Sequence, residues 1–240
     1  MKYSFQRWLA TAFAATFAAL STSVLAQSYP AKPIRLVVPY TPGAGTDTIA
    51  RILAQKAGES LRQQVVIENR PGAGGTIGTE IVAKAPPDGY TLLFAPTSHA
   101  INPGIYPKLG YDTLKDFAPI SVVASLPVVL AVEPSIPANS VKDLVALAKS
   151  KPGGLTMASS GNGTVFHLTG ELFKDAAGIN IVHVPFKGGA PAVTALLGGQ
   201  VSMTFETSVT LLPHIRSGKL RALGVASAKR IALLLAHPKK

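Results

Sequence analysis

The chain has 240 residues, a formal net charge of +11 and no cysteine. The absence of cysteine excludes disulfides, a cysteine nucleophile and a lipid-modified cysteine at a processed N-terminus. The 23 lysines and arginines are scattered rather than gathered into a basic stripe, so no nucleic-acid partner is predicted. A positive field of this kind would attract anionic solutes instead.

Residues 1–26 are predicted to be a secretory signal peptide. Lys2 and Arg7 precede an apolar stretch over residues 8–20, and Val24-Leu25-Ala26 resembles a cleavage site. Cleavage after Ala26 would place the chain in a bacterial periplasm. An uncleaved membrane anchor is the alternative. No stretch beyond this leader is long and apolar enough to cross a bilayer.

The next hundred residues alternate short apolar strands with helical segments. Strands are predicted over 34–39, 64–68 and 90–95, and helices over 47–61 and 76–84. Pro86 and Pro87 end the second helix because proline cannot continue it. This alternation is typical of a parallel sheet covered by helices, an α/β fold.

The segment 117–132 is rich in β-branched residues but contains Pro119 and Pro127, which argue against one central strand and fit a bend between lobes. The α/β alternation then resumes and predicts a second lobe. Its strands are predicted over 155–158, 181–184, 201–205 and 220–226, and its helices over 140–149, 164–176, 190–197 and 210–217.

Three glycine-rich turns each leave a strand and open a helix. They read VPYTPGAGTD over 38–47, ENRPGAGGT over 68–76 and SSGNGT over 159–164. Backbone N–H groups at a helix N-terminus attract anions, which favours a small-anion site. The alternative is that the glycines only permit tight turns.

Motifs of common enzyme classes are absent. The sequence has no phosphate-binding P-loop, no complete dinucleotide fingerprint and no Gly-x-Ser-x-Gly. The five histidines, at 99, 167, 183, 214 and 237, show no paired metal-ligand spacing. The sequence therefore predicts no catalytic residue, metal or cofactor, and a protein that is not an enzyme.

Five segments resemble the Bug/TctC family of periplasmic solute-binding proteins, which serve tripartite tricarboxylate transporters. They are VPYTPGAGTD (38–47), ENRPGAGG (68–75), PDGYTLL (87–93), HVPFKG (183–188) and LPHIRSGKLRAL (212–223). The resemblance implies a type II two-lobe periplasmic-binding-protein fold that closes on a small carboxylate, such as a di- or tricarboxylate, an acidic amino acid or an aromatic acid. It also implies membrane permease subunits as partners and a monomeric receptor.

The same resemblance implies the ligand-binding residues. In the first lobe these are Thr41, Gly43, Ala44, Gly45, Asp47, Ala73, Gly74 and Ser98; in the second they are Ser159, Ser160, Gly161, Thr164, Phe186, Lys187 and Glu206.

Several of these residues have a structural alternative. Asp47 would equally serve as a helix cap, as would Ser159, Ser160 and Thr164. Lys187 is either a charge partner for an anion or a solvated lysine, and the solvated lysine is favoured. Glu206 follows a strand where the family often has aspartate, which makes it the most interesting specificity position.

The segment 231–240 does not resemble the family, which suggests a truncated copy with an incomplete first lobe. The predicted domains are the signal peptide 1–26, lobe 1 over 27–125, lobe 2 over 126–219, and a hinge strand with a divergent tail over 220–240. The favoured function is a receptor. The alternatives are a ligand sensor for a membrane kinase, an exported enzyme acting on a carboxylate through Ser98, His99 or a cross-lobe pair, and a non-functional truncated paralogue.

Overall fold

The computed structural model describes residues 29–228 and residue 231. The predicted signal peptide, its cleavage site and nearly all of the tail lie outside the described residues. The described residues from 33 onward form one unit, which contains every described helix and strand.

The first sheet is formed by three parallel strands, with β1 at its centre and β2 and β3 at its edges. The strands are β1 (Ile34–Val38), β2 (Val65–Asn69) and β3 (Thr91–Leu93); the helices are α1 (Gly45–Leu61), α2 (Thr76–Ala83), entered through a 3-10 turn at Ala73–Gly75, and α3 (Ser98–Ile105). Leu36 and Val38 of β1 pack with Ala50 and Ala54 of α1, which fixes that helix over the sheet.

The second sheet has five strands in the order β6-β5-β7-β4-β8. They are β4 (Val128–Val132), β5 (Thr156–Ser159), β6 (Val182–Pro185), β7 (Met203–Thr207) and β8 (Arg221–Val225). The helices between them are α4 (Val141–Ser150), α5 (Val165–Ala177), α6 (Gly189–Leu197) and α7 (Ser208–Arg216). β4 runs antiparallel to both of its neighbours, and β5 is parallel to β6 and β7.

The apolar run of β4 is explained by burial on both faces. Val129 and Ala131 belong to one core cluster, whereas Leu130 and Val132 belong to the other. Successive side chains of a strand point to opposite faces, so a strand covered on both sides needs apolar residues at every position.

The α/β alternation is confirmed, and most predicted elements agree with the observed ones to within two residues. The helix α3 was not predicted. β4 is a central strand that begins directly after Pro127, and residues 117–127 form no regular element. β8, placed in a hinge by the sequence, pairs with β4 at the edge of the second sheet. None of the described helices is both long and apolar enough to cross a membrane.

Candidate functional site

A cavity of about 230 Å³ lies where loops of the two sheets meet. Loops that follow parallel strands gather at the carboxyl edge of a sheet, so both sheets present their glycine-rich turns to this space. The lining residues are Tyr40, Gly72, Ala73, Gly74, Gly75, Tyr106, Ser160, Gly161, Asn162, Pro185, Phe186 and Lys187.

The first wall is mostly backbone. Residues 72–75 all have positive φ, including the non-glycine Ala73 at 46°, and they lead directly into α2 at Thr76. A Cβ atom at Gly74 would lie 2.6 Å from the carbonyl oxygen of Asn162 on the opposite wall. Glycine is therefore required here for the close approach of the two walls as well as for the turn.

The second wall comes from the turns before α5 and α6. Ser160, Gly161 and Asn162 precede α5, and Phe186 and Lys187 precede α6. Lys187 is exposed and has no carboxylate partner within the described part of the chain. The lining contains this one cation and no acidic side chain.

Glu206 lies behind the second wall rather than in it. Its side chain is buried, Ser160 Oγ donates to its Oε2 at 2.8 Å, and the Thr207 N–H donates to its Oε1 at 2.8 Å. Burial raises the pKa of Glu206 to about 7, against the opposing effect of these hydrogen bonds. The predicted specificity residue thus contacts the lining residue Ser160 and is not itself part of the lining.

Two tyrosines missing from the predicted set line the cavity. Tyr40 Oη lies 2.8 Å from Ser98 Oγ, with both residues buried, and burial raises the pKa of Tyr40. Tyr106 Oη donates to the Asn162 carbonyl oxygen at 3.1 Å, so this hydroxyl joins the two walls.

The loop 41–47 packs against the second lobe instead of lining the cavity. The Gly45 N–H donates to Thr210 Oγ1 at 2.9 Å, and a Cβ at Gly188 would lie 2.2 Å from Thr41 Oγ1. Ala44 lies close to Gly189 in the same contact. Thr41 Oγ1 is buried and has no hydrogen-bond partner among the described residues. This hydroxyl lies against Gly188 and is not part of the cavity lining.

Asp47 holds the loop together and does not reach the cavity. Its Oδ2 accepts from the Gly43 N–H at 2.9 Å and from Arg51 Nε at 2.8 Å, and its Oδ1 accepts from Asn69 Nδ2 at 2.9 Å. Burial alone would raise the pKa of Asp47, but these bonds, that of Arg51 foremost, lower it overall. The geometry therefore favours a structural role for Asp47, but not as the predicted helix cap: α1 begins at Gly45, and its N-cap is Ala44 without a side-chain cap.

Three other predicted hydroxyl residues are buried behind the walls. Thr164 caps α5 by accepting from the His167 N–H at 3.3 Å, and it donates to the Gly161 carbonyl at 2.8 Å. Ser159 Oγ contacts Gly161, and Ser98 contacts Tyr40. These residues shape the lining without being part of it.

Of the predicted residues, the cavity brings together Ala73, Gly74, Ser160, Gly161, Phe186 and Lys187. The lining residues outside the predicted set are Tyr40, Gly72, Gly75, Tyr106, Asn162 and Pro185, of which Gly72, Gly75 and Asn162 lie within the predicted glycine-rich turns. All of these residues except Tyr106 are adjacent in sequence to a predicted residue. The turns that contain the predicted residues therefore indicated this part of the lining. Tyr106 gave no signal in the sequence because its partner is 56 positions away.

Comparison with known proteins identifies the family. A family model described as "Tripartite tricarboxylate transporter family receptor", TctC, matches residues 49–239. The chain belongs to the TctC family. The resemblance seen in the sequence is thereby confirmed. The match also includes most of the segment 231–240 that the sequence analysis set apart as divergent.

Individual TctC relatives agree with this assignment. Protein BugT of Bordetella pertussis is 43% identical over 215 residues, which cover 89% of this chain and 66% of BugT. A UPF0065 protein of Pseudomonas sp. is 40% identical over 203 residues, covering 85% of this chain and 60% of the relative. The chain thus spans about two thirds of the length of these curated relatives.

Solved structures of similar proteins confirm the fold. The periplasmic binding protein BugD superposes with a TM-score of 0.84 at 38% identity, covering 88% of this chain and 70% of BugD. An R. palustris protein with adipate superposes with a TM-score of 0.82 at 40% identity, covering 84% of this chain and 68% of that protein. MatC from Rhodopseudomonas palustris with bound malate superposes with a TM-score of 0.79 at 33% identity, covering 84% of this chain and 69% of MatC. TctC proteins are solute-binding receptors rather than enzymes.

Proposed function

We propose that this protein is a periplasmic receptor whose cavity captures a small carboxylate and delivers it to the membrane permease subunits of a tripartite tricarboxylate transporter. The observation that carries the proposal is the charge of the lining: among the residues that the structure describes, Lys187 is the one cation of the lining, and no carboxylate belongs to it. An anion entering this space meets attraction and hydrogen-bond donors without a like charge to repel it.

The cavity also suits a small ligand. Its volume of about 230 Å³ lies below the about 300–1,000 Å³ of sites for drug-sized molecules. The relatives described with adipate and with malate hold dicarboxylates of four to six carbons. Di- and tricarboxylates are therefore the first class to test, followed by acidic amino acids and aromatic acids.

The two walls would divide the recognition of such a ligand. The backbone of Ala73 and Gly74, at the N-terminal end of α2, would hold one carboxylate by close approach. Ser160, Gly161, Phe186 and Lys187 would contact the rest of the molecule.

Receptor function requires that the ligand favour a closed arrangement of two lobes. We propose that each sheet is the core of one lobe and that a single chain, acting as a monomer, closes around the ligand. The signal peptide would direct export and would be cleaved after Ala26. The closed form would then present both lobes to the permease subunits.

Binding of a ligand panel to the exported protein tests this function. Calorimetric titration of the chain purified from the periplasm, with adipate, malate, citrate, glutamate and benzoate, should reveal at least one ligand bound at a one-to-one ratio. Lys187→Gln should lower the affinity for that ligand at least tenfold because it removes the cation that faces the anion. Lys151→Gln, at an exposed position remote from the lining, is the matched control and should leave the affinity unchanged.

Two results would contradict the proposal. One is a folded protein that binds none of these acids. The other is binding that survives Lys187→Gln and is equally strong for uncharged amide analogues of the same acids, since such binding would not depend on the carboxylate.

A further inference from the structure

A cluster of two histidines and one glutamate lies on the second lobe, outside the cavity lining. His167 and Glu171 are four residues apart on α5 and therefore share a helix face, and His183 lies on β6. One potential ligand atom from each residue lies within 4.8 Å of the other two. The sequence gave no metal-ligand spacing because His183 is brought to the helix only by the packing of α5 on the sheet.

We propose that His167, Glu171 and His183 form a binding site for a divalent transition-metal cation such as Zn²⁺. Two imidazoles and one carboxylate are a ligand set that Zn²⁺ uses with a fourth, solvent position. All three residues are partly exposed, so water can reach that position.

To hold such a cation the cluster must contract and its two imidazole rings must tilt out of their stacked arrangement. Zinc binds nitrogen and carboxylate oxygen at about 2.0–2.2 Å, so ligand atoms in a tetrahedral site lie roughly 3.4 Å apart. The two imidazole rings are stacked, with centroids 4.1 Å apart and an angle of 22° between their planes. Tilting the rings further would make one nitrogen of each converge on a shared point.

One nearby hydrogen bond favours metal binding, and another opposes it. His183 Nε2 lies 2.6 Å from Ser159 Oγ, which leaves Nδ1 of this ring for a metal. A ligating histidine usually fixes its other nitrogen on a neighbouring group in this way. His167 Nδ1 accepts from the Gly163 N–H at 3.3 Å, so coordination through Nε2 would move a proton to Nδ1 and break that bond.

Lys174 is the competitor for the same space. Its ammonium donates to both carboxylate oxygens of Glu171, at 2.9 and 2.7 Å. A cation at the site must displace this lysine from Glu171 or share the carboxylate with it. Removal of the lysine charge should therefore strengthen metal binding, whereas removal of any ligand should weaken it.

Titration with Zn²⁺ tests the site in the full exported chain, prepared without a polyhistidine tag and treated with a chelator. Calorimetry should show one Zn²⁺ per chain. His167→Gln, His183→Gln and Glu171→Gln should each weaken binding at least tenfold, and Lys174→Gln should tighten it several-fold. Co²⁺ should give the intense visible absorption of tetrahedral coordination, which the histidine variants should lose.

His214→Gln is the matched control because His214 lies near the end of α7 and outside the cluster; it should leave the affinity unchanged. Thermal melts without metal will show whether each variant is folded, and tighter binding by Lys174→Gln cannot arise from misfolding. The proposal is wrong if no one-to-one binding occurs. It is equally wrong if affinity is unchanged in both His167→Gln and His183→Gln, or if Lys174→Gln fails to tighten it.

Discussion

At the scale of single residues, the buried Glu206 carboxyl links protonation to stability. Its folded-state pKa of about 7, against an ordinary value of 4.5, is caused by burial. Between these two values the folded protein keeps a proton that the unfolded chain has released, so the free energy of unfolding falls as the pH rises through that window. This contribution is fully present below pH 4.5 and is lost by about pH 7.

Glu206→Gln should abolish this dependence because glutamine does not titrate. From pH 4.5 to 7.5, the stability of the natural protein should fall relative to the variant by up to about 3 kcal/mol. Denaturant unfolding of both proteins at several pH values measures this difference in the free energy of unfolding. Glu59→Gln, an exposed substitution on α1 with the same change of charge, should keep the slope of the natural protein. Parallel curves for the natural protein and Glu206→Gln would contradict the assignment.

At the scale of secondary-structure elements, the cap of α5 connects helix stability to the cavity wall. Thr164 Oγ1 accepts from the His167 N–H and also donates to the Gly161 carbonyl. Ser140 caps α4 in the same way, by accepting from the Asp143 N–H at 3.1 Å, but no residue of α4 lines the cavity. Substitutions of Thr164 and Ser140 therefore distinguish an effect on helix stability from an effect on ligand binding.

Thr164→Ala should lower the free energy of unfolding by about 1 kcal/mol and weaken the ligand by about fivefold, because Gly161 loses a hydrogen bond that positions it. Ser140→Ala should cost similar stability and leave the affinity unchanged. Thermal melts and ligand titrations of both variants decide the matter. Equal affinities for the two variants would show that Thr164 serves the helix alone.

Local sequence signals predicted the elements more completely than the contacts between them. The glycine turns and proline stops correctly indicated the alternation of strands and helices, because the residue types act within a few positions. The helix α3 was missed because it has no side-chain cap and contains Pro103. The cavity turns were predicted for the same local reason, but the meeting of Gly74 with Asn162 depends on the packing of two separate sheets.

At the scale of the whole molecule, a few hydrogen bonds join the two sheets around the cavity. Tyr106 Oη donates to the Asn162 carbonyl, and the Gly45 N–H donates to Thr210 Oγ1. If the receptor opens to release its ligand, these bonds break on opening and stabilise only the closed arrangement. Their loss should then alter ligand release more than it alters folding.

Tyr106→Phe should lower the ligand affinity about fivefold, chiefly through faster dissociation. The reason is that the closed state loses a hydrogen bond that contributes about 1 kcal/mol. The unfolding of the ligand-free protein should change little. Stopped-flow dissociation and calorimetry measure the two effects.

Tyr111→Phe is the matched control, since the hydroxyl of Tyr111 accepts from Asn102 at 3.5 Å, away from the cavity lining. It should change stability without changing dissociation. If Tyr106→Phe instead lowered the unfolding temperature of the ligand-free protein as Tyr111→Phe does, and left dissociation untouched, the contact between Tyr106 and Asn162 would be a permanent part of the fold. Opening would then have to leave that contact intact.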